Sequence, residues 1–241
     1  MNNNQPIALV SGATRGIGRA IAQGLAQQGV KVLLGARNLQ TGHEIANSIL
    51  TQNISVEAVH LDTTRQTTID NLVSLIHKKY GHLDILVNNA GISLDFYPDI
   101  PLREKLSRTF ETNVVGTAAL TDAMIPLLEK SEHPRIVNVS SVLSSFTKRT
   151  QSDWMYADVY MPTYQASKAA LNALTLSYAK QLAERNIKVN AICPGLTATD
   201  ATNHYGDRSP EMAAKIAIKF ALLEDSGPTG FFANESGALA W

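Results

Sequence analysis

At 241 residues the chain is long enough to bury the core of one large α/β domain, and its 21 basic residues balance 21 acidic ones, so no net field draws it to nucleic acid or an anionic membrane. The single cysteine, Cys193, excludes an internal disulfide, and the polar start Met1-Asn2-Asn3-Asn4-Gln5 lacks the regions of a secretory signal. No apolar run approaches the ~18 residues of a membrane span, so the expectation is a cytoplasmic enzyme with no membrane or nucleic-acid partner.

In chain order, short apolar runs alternate with longer amphipathic ones, the pattern of βαβ units and a parallel sheet. Strands are expected over 7–11, 31–35, 54–60, 83–88, 135–140, 188–192 and 230–233. Helices are expected over 16–28, 40–51, 64–80, 102–129, 163–185 and 210–223, the fourth bent or shortened by Pro126. The strand runs are apolar throughout, as suits strands covered on both faces. With no repeat, low-complexity tract or linker, residues 1–241 read as a single domain: a three-layer, Rossmann-type, doubly wound parallel sheet of about seven strands.

The first strand runs into Ser11-Gly12-Ala13-Thr14-Arg15-Gly16-Ile17-Gly18, which opens a helix. Glycines let a backbone approach a pyrophosphate, and the free amides and positive dipole end of a helix attract its charge. The spacing is Gly-x-x-x-Gly-x-Gly, a variant of the usual dinucleotide fingerprint. On the fifth helix, Tyr164-Gln165-Ala166-Ser167-Lys168 sets a phenol and an ammonium one turn apart on one face. A fixed positive charge favours phenolate and should draw the Tyr pKa from about 10 toward neutrality, where it can donate or accept a proton. The six histidines are scattered without ligand spacing, so no metal is expected.

These motifs, with Asp62 after the third strand, Asn88-Asn89-Ala90-Gly91 after the fourth, Asn113 within a helix, Ser140-Ser141 after the fifth strand and Pro194-Gly195 with Thr199 after the sixth, resemble the short-chain dehydrogenase/reductase family over nearly the whole chain. The resemblance implies a pyrophosphate on Gly12, Thr14, Arg15, Gly16, Ile17 and Gly18, an adenine near Asp62 and Thr63, and a ribose bordered by Asn89, Ala90 and Gly91. It implies that Pro194, Gly195, Thr197 and Thr199 hold the nicotinamide end, with no covalent attachment. Tyr164 then protonates a carbonyl oxygen as hydride arrives, Ser141 hydrogen-bonds that oxygen, Lys168 tunes Tyr164 and binds the nicotinamide ribose, and Asn113 positions a water. Ser141 is chosen over Ser140 because the family's active serine is the second of the pair. The second strand ends Gly35-Ala36-Arg37, with no acid to bind the 2′-hydroxyl of NAD. Arg37 with Arg15 matches the family's NADP users, two guanidiniums able to fork a 2′-phosphate.

The implied activity is therefore NADP(H)-dependent, reversible reduction of a small-molecule ketone or aldehyde to its alcohol. Two alternatives stand beside it: a 3-oxoacyl thioester reductase docking through Lys148 and Arg149, and a non-catalytic NADPH-sensing module. An insertion over 142–163 resembles a shorter version of the one in the carbonyl-reductase branch of the family, where it blocks association. Its Phe146, Trp154, Met155, Tyr156 and Tyr160 either line an apolar substrate pocket or form a satellite core. A short lid is expected over 200–208. Ala166, Ala169, Ala170 and Ala173 suit packing against either the sheet or a second subunit; by resemblance a homodimer or homotetramer is the default, with a monomer as the alternative.

Overall fold

Strand β1 (Ile7–Val10) sends alternate side chains to opposite faces of the sheet and so divides the interior in two. Ala8 and Val10 join a core beneath α1 (Gly16–Gln27), α2 (Leu39–Ile49) and α8 (Pro210–Ala221). Ile7 and Leu9 join another beneath α3 (Gln66–Lys79), α5 (Gly116–Leu128) and α7 (Pro162–Gln181). Both faces being covered, the strands are apolar on each side, and the three expected layers result. This computed structural model describes residues 5–50 and 55–241; Thr51 of the second expected helix and Ile54 of the third expected strand lie outside them.

The sheet continues with β2 (Lys31–Ala36), β3 (Val56–His60), β4 (Ile85–Asn88), β5 (Arg135–Val139), β6 (Lys188–Ile192), β7 (Phe232–Asn234) and β8 (Gly237–Ala238). Their order is β3-β2-β1-β4-β5-β6-β7-β8, parallel except for the last pairing. The eighth strand is additional to the seven expected: Asn234 Oδ1 accepts from Ser236 N at 2.9 Å and Gly237 takes φ +124°, closing a hairpin too short to show periodicity. The order reverses between β1 and β4, which opens a crevice at their carboxyl ends.

The expected helix over 102–129 is instead α4 (Leu102–Phe110) and α5, joined by a π turn at Glu111–Val115. Pro126 does not cause the break. It sits in the last turn of α5 with only Leu127 and Leu128 beyond it, fifteen residues after the π turn begins. The wider π turn carries Asn113, fully buried, toward the crevice. A one-turn helix, α6 (Phe146–Arg149), lies in the insertion.

Candidate active site

The ends of β1 and β4 are knitted together. Ser11 Oγ accepts from the backbone N–H groups of Asn89 and Ala90, both at 3.0 Å, and the Asn89 amide donates to Ser11 O and Gly12 O at 3.0 and 3.1 Å. Gly12 has φ +61°, and a Cβ there would lie 2.9 Å from Ala90 Cα, so only glycine fits. Asn88 points the other way, into the core, donating to Thr121 Oγ1 and Asn138 Oδ1.

Beyond this turn the N-terminus of α1 has no side-chain cap and no acidic residue in its first turn. Its amides are thus free for an external anion, the arrangement a nucleotide pyrophosphate fits. After β3, Asp62 Oδ1 accepts from Thr64 N and Thr64 Oγ1, and Thr63 is buried where Gly116 leaves room for its carbonyl. Arg37 is exposed just past β2. The Arg15 guanidinium turns to Asp200 at 3.4 Å, both groups being exposed. In the sequence, Asp200 had no reason to be near Arg15; the lid brings it there.

At the far end, Gly195 has φ +81° and packs on the Arg208 side chain, while buried Thr197 donates to Gly195 O at 3.0 Å. The segment after Thr197 folds on itself: Thr202 Oγ1 donates to Thr197 O and accepts from Thr199 N. Ala198 N donates to Arg208 O, and Arg208 forms an ion pair with Glu235 of the β7–β8 hairpin. His204 is an exposed partner of Asp200.

Between these two regions stand the residues expected to carry acid–base chemistry. Ser140 and Ser141 diverge as neighbours on a strand must: Ser140 is buried and donates to Asn172 Oδ1 at 2.6 Å, whereas Ser141 is partly exposed and its Oγ accepts from Leu143 N at 3.2 Å. Lys168 Nζ lies 5.7 Å from the centroid of the Tyr164 ring and donates to Val139 O at 2.8 Å. Gly91 sits where a Cβ would touch both Asn113 Oδ1 and Lys168 Nζ. Asn113 exchanges hydrogen bonds with the backbone of Ile92, at 2.8 and 2.9 Å, and donates to Ser167 Oγ at 3.0 Å.

The electrostatics differ from the expectation. Tyr164 is pushed up to about 12, by desolvation first and then by Cys193, with the Ser141 hydroxyl pulling the other way. Lys168 is held down at about 8, chiefly by burial. The i, i+4 spacing does set both on one face, but Lys168 is buried and Tyr164 half-buried there, and desolvation disfavours the charged form of each.

The model for the family described as short chain dehydrogenase matches residues 6–209. The chain belongs to the short-chain dehydrogenase/reductase family. Among its relatives, a (-)-isopiperitenone reductase of Mentha piperita is 33% identical over 310 residues, covering 98% of each chain. A 3-oxoacyl-[acyl-carrier-protein] reductase of Escherichia coli is 34% identical over 207 residues, covering 86% of this chain and 80% of that one. Among solved structures, a Pseudomonas aeruginosa protein in an NADP active-site complex superposes with a TM-score of 0.81 at 27% identity, covering 95% of this chain and 94% of that one.

Within this family fold the insertion forms no satellite core. Phe146, Met155 and Tyr160 are exposed, and Trp154 meets Tyr156 edge to face at 5.3 Å. Arg149 is occupied within the insertion, donating to Tyr156 O and Ala157 O. Helix α7 turns Ser167, Lys168, Leu171, Asn172 and Thr175 to the sheet, which leaves Ala166 and Ala173 facing outward. A cavity of about 250 Å³ near Asn186, Lys188 and Asp225 opens at the opposite, amino-terminal ends of the strands and is lined by none of the predicted site residues. Sequence reasoning missed Asp95, whose carboxylate reaches the N-terminus of α7 from the loop after β4. Across 68 positions of chain no local pattern signals that contact.

Proposed function

We propose that the protein is an NADPH-dependent carbonyl reductase, and that Tyr164 is its general acid. The observation that carries this reading is the Tyr164 ring 5.7 Å from Lys168 Nζ, with Lys168 tied to the end of β5 through Val139 O and Ser141 two residues on, in the same crevice as the uncapped N-terminus of α1. NADPH, when bound, supplies a hydride. The α1 amides and Gly12 would hold its pyrophosphate, Asp62 and Thr63 its adenine, Asn89 to Gly91 its ribose, and Pro194 to Thr199 its nicotinamide end, with Arg37 at the 2′-phosphate.

Reduction builds negative charge on the carbonyl oxygen, which must be stabilised and protonated. A phenol held near 12 stays protonated at neutral pH, the form required of a donor. An alkoxide is basic enough to take that proton, and the Ser141 hydroxyl can donate to the same oxygen. Lys168, with its pKa near 8, exchanges protons close to neutrality and is placed to resupply Tyr164. Exposed Phe96, Tyr97, Met155, Tyr160 and Tyr205, on the loop after β4, the insertion and the lid, favour a bulky apolar carbonyl compound.

A second reading, reduction of a 3-oxoacyl thioester, is favoured by the likeness to the Escherichia coli reductase. Arg149 does not help it, being occupied within the insertion. Both readings are tested by NADPH and NADH oxidation against ketones, aldehydes, diketones, quinones and a 3-oxoacyl thioester, with Tyr164→Phe alongside. NADPH turnover at least ~100-fold lower in Tyr164→Phe is expected. No turnover by the wild type, or an equal rate in the variant, would defeat the assignment, and a thioester preferred over free carbonyls by orders of magnitude would select the second reading.

A further inference from the structure

Helix α7 begins without a cap of its own, since Met161, at its N-cap position, supplies no side-chain hydrogen bond. Asp95 provides one from the loop after β4. Its Oδ1 accepts from Thr163 N at 3.1 Å, and its Oδ2 accepts from Thr163 Oγ1 and Tyr164 N, both at 2.9 Å. Thr163 is fully buried, so these bonds form away from solvent. The carboxylate also meets the positive end of the helix dipole, and bonds to a charged acceptor are the strong ones.

The carbonyl of Tyr164 is tied to the same loop by a different route. Ser167 Oγ donates to Tyr164 O at 2.8 Å, Asn113 Nδ2 donates to Ser167 Oγ, and Asn113 pairs with the backbone of Ile92. Both peptide groups of Tyr164 are thus fastened to the segment 92–95, which directly follows Ala90 and Gly91 at the crevice. Helix first turns fray unless their donors are satisfied. A phenol displaced by about 1 Å loses on the order of 100-fold in rate.

We infer that Asp95 is a positioning residue for Tyr164, fixing the phenol relative to the crevice wall and not merely closing a helix. The inference rests on the reductase reading above. It is tested with Asp95→Ala and Asp95→Asn in the full chain, by steady-state kinetics, NADPH titration and amide hydrogen exchange.

In Asp95→Ala, kcat should fall about 10- to 100-fold while the carbonyl KM and the NADPH Kd stay within about 2-fold. Exchange should accelerate at Thr163 and Tyr164 and stay unchanged over 171–179. Asp95→Asn keeps an acceptor oxygen in the same place and should recover at least about half of the lost rate on a logarithmic scale. An Asp95→Ala kcat within about 2-fold of wild type overturns the inference. So does a joint loss of kcat and NADPH affinity with faster exchange along all of α7, which marks a purely structural role. A wild type without turnover, or an active Tyr164→Phe, defeats the reductase reading itself; an active wild type with an unaffected Asp95→Ala defeats only the positioning role.

Discussion

Replacing Lys168 with Met should abolish turnover and yet make the cofactor-free protein more stable. Lys168 is 4% exposed, and burial holds its pKa at about 8 against an ordinary 10.5. A base with a lowered pKa binds its proton less tightly folded than unfolded, so below about pH 8 its charge opposes folding. The opposition fades as pH rises from about 8 to 10.5, where the unfolded chain holds the extra proton. At 1.36 kcal/mol per pH unit the gap is worth about 3 kcal/mol. Against this stands the loss of the 2.8 Å bond to Val139 O, about 1 kcal/mol. The net gain at pH 7 is about 2 kcal/mol, or about 4–8 °C in Tm for a chain of this size. Guanidinium unfolding of wild type and Lys168→Met at pH 7 and pH 10.5 measures it: the variant should be the more stable at pH 7 and slightly the less stable at pH 10.5, where only the lost bond to Val139 O still counts. A variant less stable than wild type at pH 7 would refute the reasoning, because the ammonium would then be a net stabiliser of the fold.

Arg37→Asp should reverse cofactor preference, lowering kcat/KM for NADPH relative to NADH by about 10- to 100-fold, the worth of one charge-assisted hydrogen bond of about 1.5–3 kcal/mol. An unchanged ratio in steady-state kinetics would remove Arg37 from the 2′-phosphate site. The outward alanines Ala166 and Ala173 on α7 permit close approach of a second copy, so light scattering of the purified protein should give a dimer or tetramer mass. The mass of a single chain would instead favour an insertion that blocks association.

Much of the architecture can be read from local pattern. Apolar runs without alternation announce strands covered on both faces, glycines at 12 and 16 mark backbone that must turn with positive φ, and Tyr164 and Lys168 share a helix face at any tertiary arrangement. Strand β8 escaped because two residues carry no period, and the interruption of the fourth expected helix fell at the π turn of 111–115, which no proline or glycine run marks, and not at Pro126.

The candidate site divides in the same way. Short-range geometry, set by bond lengths and helical or strand periodicity, belongs to the sequence by itself: which residues punctuate the first turn, which serine faces away from its neighbour, which lysine stands one turn from the tyrosine. Quantities that depend on surroundings were decided only by the tertiary structure. Burial moved Tyr164 to about 12 and Lys168 to about 8, the lid brought Asp200 to Arg15, and the loop after β4 delivered Asp95 to the first turn of α7. Desolvation and through-space capping are set by neighbours far apart along the chain, and no window of sequence contains them.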